Sequence, residues 1–255
     1  VKIGRNTPAI VTGGASGLGA AVARALRKQG VPVGILDMNE EAGSVFAREI
    51  GASFANCDIS DAKAVAVVLS DIRAEQGQER ICINCAGIAP AAKTVSRGAG
   101  HDPALFSRVI AINLIGTFNV ATQSAAGMTA ADELNDDGER GVIINTASIA
   151  AYEGQMGQLA YASSKAGVAG MTLPMARDLA KSGIRVVAIA PGIFATPMVT
   201  AFSQEVQDAL AESTLFPRRL GRVEEFAALA LHIAANTMLN GEIIRLDAAT
   251  RMQPK

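Results

Sequence analysis

Short runs of consecutive apolar residues, many of them β-branched, alternate along the chain with longer segments whose apolar positions recur at helical spacing. Seven such runs stand out: 9–12 (AIVT), 31–37 (VPVGILD), 52–58 (ASFANCD), 80–85 (RICINC), 142–145 (VIIN), 184–192 (IRVVAIAPG) and 242–250 (EIIRLDAAT). Apolar runs without strict alternation predict strands buried on both faces, as in a parallel sheet. The segments 20–30, 62–77, 104–128, 161–183 and 223–236 carry helical patterns, and a further helix starts near Glu40. Strand and helix in alternation, joined by short connections, predict an α/β fold: a doubly wound parallel sheet of seven strands, right-handed crossovers and helices on both faces. No repeat or low-complexity linker interrupts the series, so residues 1–255 read as one domain.

The chain is organised around residues 141–167, GVIINTASIAAYEGQMGQLAYASSKAG. A buried strand delivers Ser148 to its carboxyl end, and a helix-forming segment then carries Tyr161 and Lys165 at i, i+4, on one helical face. A tyrosine with a pKa near 10 is a poor base at neutral pH, but an ammonium close by lowers an acidic neighbour by roughly 1–3 units. Lys165 is therefore expected to make Tyr161 a usable acid or base, with Ser148 holding the oxygen that is oxidised or reduced. A solvated helix face bearing a chance YxxxK is the plain alternative.

The first strand runs into GGASGLG, a turn opening an amphipathic helix. Gly13, Gly17 and Gly19 let the backbone approach a pyrophosphate held at the helix N-terminus. The second strand ends on Asp37, at the spacing where a dinucleotide fold places its ribose-binding acid, and a carboxylate there repels a 2′-phosphate. NAD is thus the expected cofactor rather than NADP. Capping of the helix near Glu40 is the competing role, open to Asn39 as well.

Composition narrows the class further. The 255 residues are 49% hydrophobic and 18% charged, with 25 glycines, no tryptophan and a net charge of −1. That balance suits a sheet covered by helices and supplies no basic field for nucleic acid. No apolar run is expected to span a membrane. The first strand begins within ten residues, leaving no room for a targeting peptide within the given chain. Cys57, Cys82 and Cys85 are a sparse, odd set that suggests a reducing, cytoplasmic setting. Cys82 and Cys85 form a CxxC, but positions three apart on a strand point to opposite faces, and His101 and His232 lack ligand-type neighbours. No metal is predicted.

Residues 89–101 read as an irregular loop beyond a strand end, where Lys93 and Arg97 are candidates to meet an anionic substrate tail. The long apolar helix beyond Pro103 contains Asn113, a polar amide that must find partners and so holds water or backbone near the site. Pro174 is expected to kink the helix that carries Lys165. In 198–213, Met198, Phe202, Val206 and Leu210 share a helical face that either covers an apolar pocket or packs in the core. The polar loop 131–141 lies at the far end of the sheet and receives no chemistry.

Taken in order and spacing, TGGASGLG at 12–19, Asp37, CDI at 57–59, NCAG at 84–87, Asn113, Ser148, YASSK at 161–165 and PGIFATP at 191–197 resemble the motifs of the short-chain dehydrogenases/reductases. The resemblance covers nearly the whole chain and implies a Rossmann-type fold. The wording of GVIINTAS, EGQMGQLAY, GMTLPMARDLA, NGEIIRLD and RMQP is similar to the type II 3-hydroxyacyl-CoA dehydrogenase branch, also described as type 10 17β-hydroxysteroid dehydrogenases. What the resemblance implies is Tyr161 as acid/base, Ser148 as partner of the substrate oxygen, Lys165 on the nicotinamide ribose and Asn113 in a proton relay. Carried over in the same way, Ser16, Leu18, Asp37, Asp58, Ile59, Cys85, Phe194 and Thr196 contact NAD, and Gln155 lines the substrate pocket. A homotetramer and an acyl-CoA substrate are implied too. A hydroxysteroid or other apolar alcohol is the alternative substrate, and a non-catalytic nucleotide-binding scaffold is the alternative of another class. Two positions depart from the family pattern: Cys85 replaces the second asparagine of NNAG, and Ala248 follows Asp247 where glycine is frequent.

Overall fold

The structure is a computed structural model and describes residues 1–254. The strands β1 (Ala9–Thr12), β2 (Val33–Asp37), β3 (Ser53–Asn56) and β4 (Ile81–Asn84) are followed by a two-stranded hairpin, β5 (Val95–Ser96) and β6 (Ala99–Gly100). Then come β7 (Gly141–Thr146), β8 (Ile184–Pro191) and β9 (Ile243–Leu246). Seven of them form one sheet in the order β3-β2-β1-β4-β7-β8-β9, and each of its pairings is parallel. The order reverses between β1 and β4, and it is at such a point that the carboxyl ends of an open α/β sheet leave a crevice.

Helices cover both faces. On one face α1 (Gly17–Lys28), α2 (Glu40–Ile50) and α9 (Val223–Ala235) bury Val22, Leu26, Phe46 and Phe226 against Val11, Ile35, Ile83 and Ile144. On the other, α3 (Ala62–Gln76), α5 (Thr117–Thr129) and α6 (Leu159–Leu179) bury Leu69, Ile72, Val120 and Ala176 against Ile10, Cys82 and Ile143. β1, β4, β7 and β8 are buried at every position, which is why their sequences run apolar without alternation.

Four sequence expectations change. Residues 89–101 are not wholly irregular. Arg97 (φ 51°) and Gly98 (φ 80°) turn a hairpin there, and the backbone of Ala92 donates to Gly157 O at 2.8 Å. The helix beyond Pro103 is not uniform: α4 (Pro103–Ile110) passes into a π-helical stretch, Ala111–Gly116, before α5. This 27-residue run, Pro103–Thr129, has a mean hydropathy of 1.5 over its most apolar window and is long and apolar enough to cross a membrane. The sequence reading missed that because Asn113 and Asn119 interrupt the run; both amides are buried and bonded within the fold. Last, 198–213 is two helices, α7 (Pro197–Thr200) and α8 (Gln204–Glu212). Met198, Phe202 and Val206 are exposed there rather than in the core. α6, by contrast, runs on past Pro174 to Leu179.

The loop 131–141 serves the far end of the sheet, where Glu139 meets Arg185 at 2.8 Å, both buried. The guanidinium also donates to the carbonyl oxygens of Ile233 and Ala234 at the end of α9, which supplies the partners a buried cation requires.

Candidate active site

At the carboxyl ends of β1 and β2 the site is shaped by backbone. A Cβ on Gly13 (φ 63°) would stand 2.7 Å from Ala86 Cα, and one on Gly19 would overlap the carbonyl oxygen of Gly13. Neither position admits a side chain. The first turn of α1 contains no acidic residue, and Ser16, at its N-cap, makes no side-chain cap hydrogen bond. The helix end is therefore bare, with N–H groups and a positive partial charge facing the crevice. Asp37 accepts from Ala15 N at 3.0 Å and from Asn39 N at 3.0 Å, tying the glycine turn to the end of β2. Asn39, not Asp37, caps α2, through Ala42 N at 3.0 Å.

Gly13, Gly19 and Asp37 line one cleft of about 720 Å³, together with Ser16, Gly17, Leu18, Asp58, Ile59, Cys85, Phe194 and Thr196. Asp58 accepts from the amide and hydroxyl of Ser60, at 2.9 and 2.7 Å. Cys85 faces the cleft while Cys82 lies buried on the other side of the sheet, so the CxxC pair is split between faces. The Cys85 backbone N–H donates to Thr12 Oγ1 at 3.2 Å, and burial pushes its thiol up to about 11. The side chain in this position is replaceable because the backbone makes the bond. A glycine-walled turn, a bare helix N-terminus and a carboxylate at the end of β2 together fit a nicotinamide dinucleotide.

Side chains build the other half of the cleft. Ser148 follows β7 in extended conformation (φ −168°) and accepts from Ala150 N at 3.1 Å, leaving its O–H to donate into the cleft. Tyr161, in the first turn of α6, lies alongside it, and the Ser148 hydroxyl favours ionisation of the phenol. One turn on, Lys165 is buried, donates to Thr146 O at 2.7 Å and holds its Nζ 5.9 Å from the centre of the Tyr161 ring. All three line the cleft.

The expected electrostatics are only half present. Burial dominates both groups: it raises the Tyr161 pKa above its usual value, against the weaker effect of Ser148, and pushes Lys165 down to about 8. The expectation that Lys165 lowers Tyr161 is thus corrected for the protein alone. Desolvation outweighs the weaker influence of the Cys85 sulfur, so the ammonium is itself destabilised.

Asn113 stands behind the cleft wall, in the π-helical stretch. Its carbonyl oxygen accepts from Ile88 N at 2.8 Å, and its amide donates to Ile88 O at 2.9 Å and Ser164 Oγ at 3.0 Å. It holds the strand-end backbone in both directions, as a buried amide must. Gln155 is a second correction. It does not line the cleft, because its amide is drawn away to Gln253 O at 3.0 Å, and Gln158 lines the cleft in its place.

Sequence reasoning missed a polar ladder across the strand ends. Thr12, Asn84 and Asn145 sit at the ends of β1, β4 and β7. Asn84 donates to Asn145 Oδ1 at 2.9 Å, and Thr12 Oγ1 contacts Asn84 Oδ1 at 3.4 Å. Polar residues closing three apolar strands at one register were the available signal. Met252 of the C-terminal segment also lines the cleft, a role that the resemblance of RMQP did not assign to it.

Comparison with known proteins agrees with this geometry. A family profile described as short chain dehydrogenase matches residues 7–207. The chain is 48% identical over 254 residues to the 3-hydroxyacyl-CoA dehydrogenase type-2 of Drosophila melanogaster, covering 98% of this chain and 99% of that protein. It is 48% identical to the Homo sapiens protein of the same name over 250 residues, 96% of this chain and 95% of the other. The crystal structure of 3-hydroxyacyl-CoA dehydrogenase type-2 from Mycobacterium avium superposes with a TM-score of 0.94 at 40% identity, over 100% of both chains. With cofactor cradle and reactive side chains in one cleft, and similarity along its full length, the chain belongs to the short-chain dehydrogenase family of nicotinamide-dependent oxidoreductases.

Proposed function

We propose that the protein is an NAD-dependent dehydrogenase of 3-hydroxyacyl-CoA thioesters, acting as a homotetramer. The observation that carries this reading is the convergence of Ser148, Tyr161 and Lys165 on the same cleft as the glycine turn and Asp37. When bound, the oxidised nicotinamide supplies the hydride acceptor and a positive charge that favours the phenolate. Ser148 donates to the substrate oxygen. Tyr161 takes the hydroxyl proton in oxidation and returns it in reduction, and Lys165, held by Thr146 O, keeps a positive charge beside the phenol. Asn113 fixes the Ile88 backbone next to this path, which suits a relay of the proton toward solvent.

Asp37 supports NAD over NADP. Its neighbours Met38 and Asn39 offer no cation to balance a 2′-phosphate, and two backbone amides already hold the carboxylate in place. For the thioester, Lys93 and Arg97 are exposed around a hairpin anchored to the cleft rim through Ala92 and Gly157, where CoA phosphates would pass. The relatives' names favour the same substrate. Exposed Ile115 in the π-helical stretch, Phe118 on α5 and Leu173 on α6 are an apolar surface that subunit packing would cover.

The deciding experiment is a panel of 3-hydroxyacyl-CoAs and hydroxysteroids followed at the NADH absorbance, with NADP substituted in parallel. The expected result is turnover of the thioesters with NAD. Turnover of steroids alone, or equal use of NADP, would overturn the corresponding part. Replacing Lys93 and Arg97 by Glu should raise KM for the CoA ester but not for a truncated thioester.

A further inference from the structure

Beyond Leu246 the chain does not leave the site but turns back to it. Ala248 (φ 50°) and Ala249 (φ 60°) both occupy the left-handed region, which is costly for a residue with a Cβ. The turn is held by Arg245, whose guanidinium donates to Asp247 Oδ2 at 2.6 Å, Thr250 O at 3.0 Å and Glu153 Oε1 at 2.7 Å. The following residues then lie along segment 153–156, which separates the turn after Ser148 from the helix that begins before Tyr161. Three bonds fasten them there: Met252 N to Glu153 Oε2, Gln155 Nε2 to Gln253 O and Met156 N to Pro254 O, each 3.0 Å. Half-buried Met252 lines the cleft. Asp37, Met38 and Asp58, which close or follow β2 and β3 toward the other edge of the sheet, line the same cleft.

We propose that residues 250–254 form a strap walling the substrate end of the cleft, that Met252 is a specificity-determining residue limiting the bulk of substrate admitted beside Ser148 and Tyr161, and that Glu153 is its positioning residue. The class of ligand it meets is the apolar portion of the alcohol substrate, an acyl chain if the proposed function holds, and to that extent the inference rests on that reading. An unbranched thioether fills an irregular apolar gap and tolerates neighbours of several shapes. Glu153, whose Oε1 accepts from Arg245 and whose Oε2 accepts from both Arg245 and the Met252 amide, fixes how far the side chain reaches.

The test compares kcat/KM across short-, medium- and long-chain 3-hydroxyacyl-CoAs and a hydroxysteroid for wild type, Met252→Ala and Met252→Phe, with NADH affinity by fluorescence titration as the check on folding. Met252→Ala should raise the long-to-short selectivity ratio about tenfold and Met252→Phe should lower it by a similar factor, the range expected for one altered apolar contact. Glu153→Ala should shift the ratio in the direction of Met252→Ala, while Glu153→Gln, which keeps an acceptor for the Met252 amide, should restore it. Unchanged ratios in both Met252 variants, with NADH affinity retained, would overturn the proposal. Should the wild type oxidise steroids or other alcohols but no thioester, the 3-hydroxyacyl-CoA reading falls alone, and the same ratio taken across the accepted alcohols still decides the role of Met252.

Discussion

The two halves of the cleft are made in different ways. The half beneath β1 and β2 is a backbone surface: Gly13 and Gly19 are excluded from bearing side chains, α1 presents bare amides, and one carboxylate, Asp37, ties the turn to the next strand. The half beneath β7 and β8 is a side-chain surface, in which a buried hydroxyl, a half-buried phenol and a buried ammonium lie beside one another, the last two perturbed by desolvation. The first half offers shape and dipole. The second accepts an energetic penalty to hold reactive groups dry, which is how a site stores chemistry at the expense of stability.

The sharpest way to break this contrast is Tyr161→Phe. Removal of the phenolic oxygen should reduce kcat by about 10³-fold or more, in the range of general acid–base catalysis, while NADH affinity by fluorescence titration stays within about twofold. Comparable loss of both would mean the halves are not separable. Asp37→Ala probes the other side: deleting a charged hydrogen-bond acceptor should reduce the NAD-to-NADP preference by about 10- to 100-fold in kcat/KM, with little change in kcat. An unaltered preference would mean the ribose is read elsewhere.

The penalty itself is measurable. The Lys165 pKa is about 8 in the folded protein against an ordinary value of 10.5, so between these pH values the unfolded chain binds more protons than the folded one. Burying the charge therefore costs stability below pH 8, and that cost is relieved as pH rises from 8 toward 10.5. Lys165→Met should stabilise the cofactor-free protein at pH 7 by about 2 kcal/mol, after allowance for the lost bond to Thr146 O, with the advantage shrinking above pH 8; chemical denaturation of both proteins across this range checks it. A destabilised variant would show that the ammonium is well solvated by its surroundings. The smallest effect belongs to Ala248, outside both halves. Ala248→Gly should relieve the left-handed strain at φ 50° but enlarge the unfolded ensemble, for a net gain below about 1 kcal/mol, read as a slight rise in Tm.

How much of this was legible in sequence follows the same division. The glycine turn, Asp37 and the Tyr161–Lys165 pair are local: each is a spacing along one strand–turn–helix or one helical turn, so periodicity and residue type suffice to find them. Gln155 was misplaced because its fate depends on Gln253, a partner 98 positions away. Met252 was missed for the same reason, its approach to the cleft being imposed by Glu153 and Arg245 from two other elements. The hairpin at Arg97 and the π-helical stretch at Asn113 escaped because neither alters the apolar pattern that marks a loop or a helix.

By itself the sequence determined the seven-strand alternation, the buried character of the sheet, the glycine turn that opens α1 and the placing of Tyr161 and Lys165 on one helical face, since each is written in spacings shorter than about one helix. Only the tertiary structure decided which way the ionisation of Tyr161 and Lys165 shifts, which residues hold Asn113, and which segment closes the substrate end. Desolvation depends on everything packed around a group, and the path of a returning strap depends on partners far away in the chain, so neither quantity is a property of any local stretch of residues.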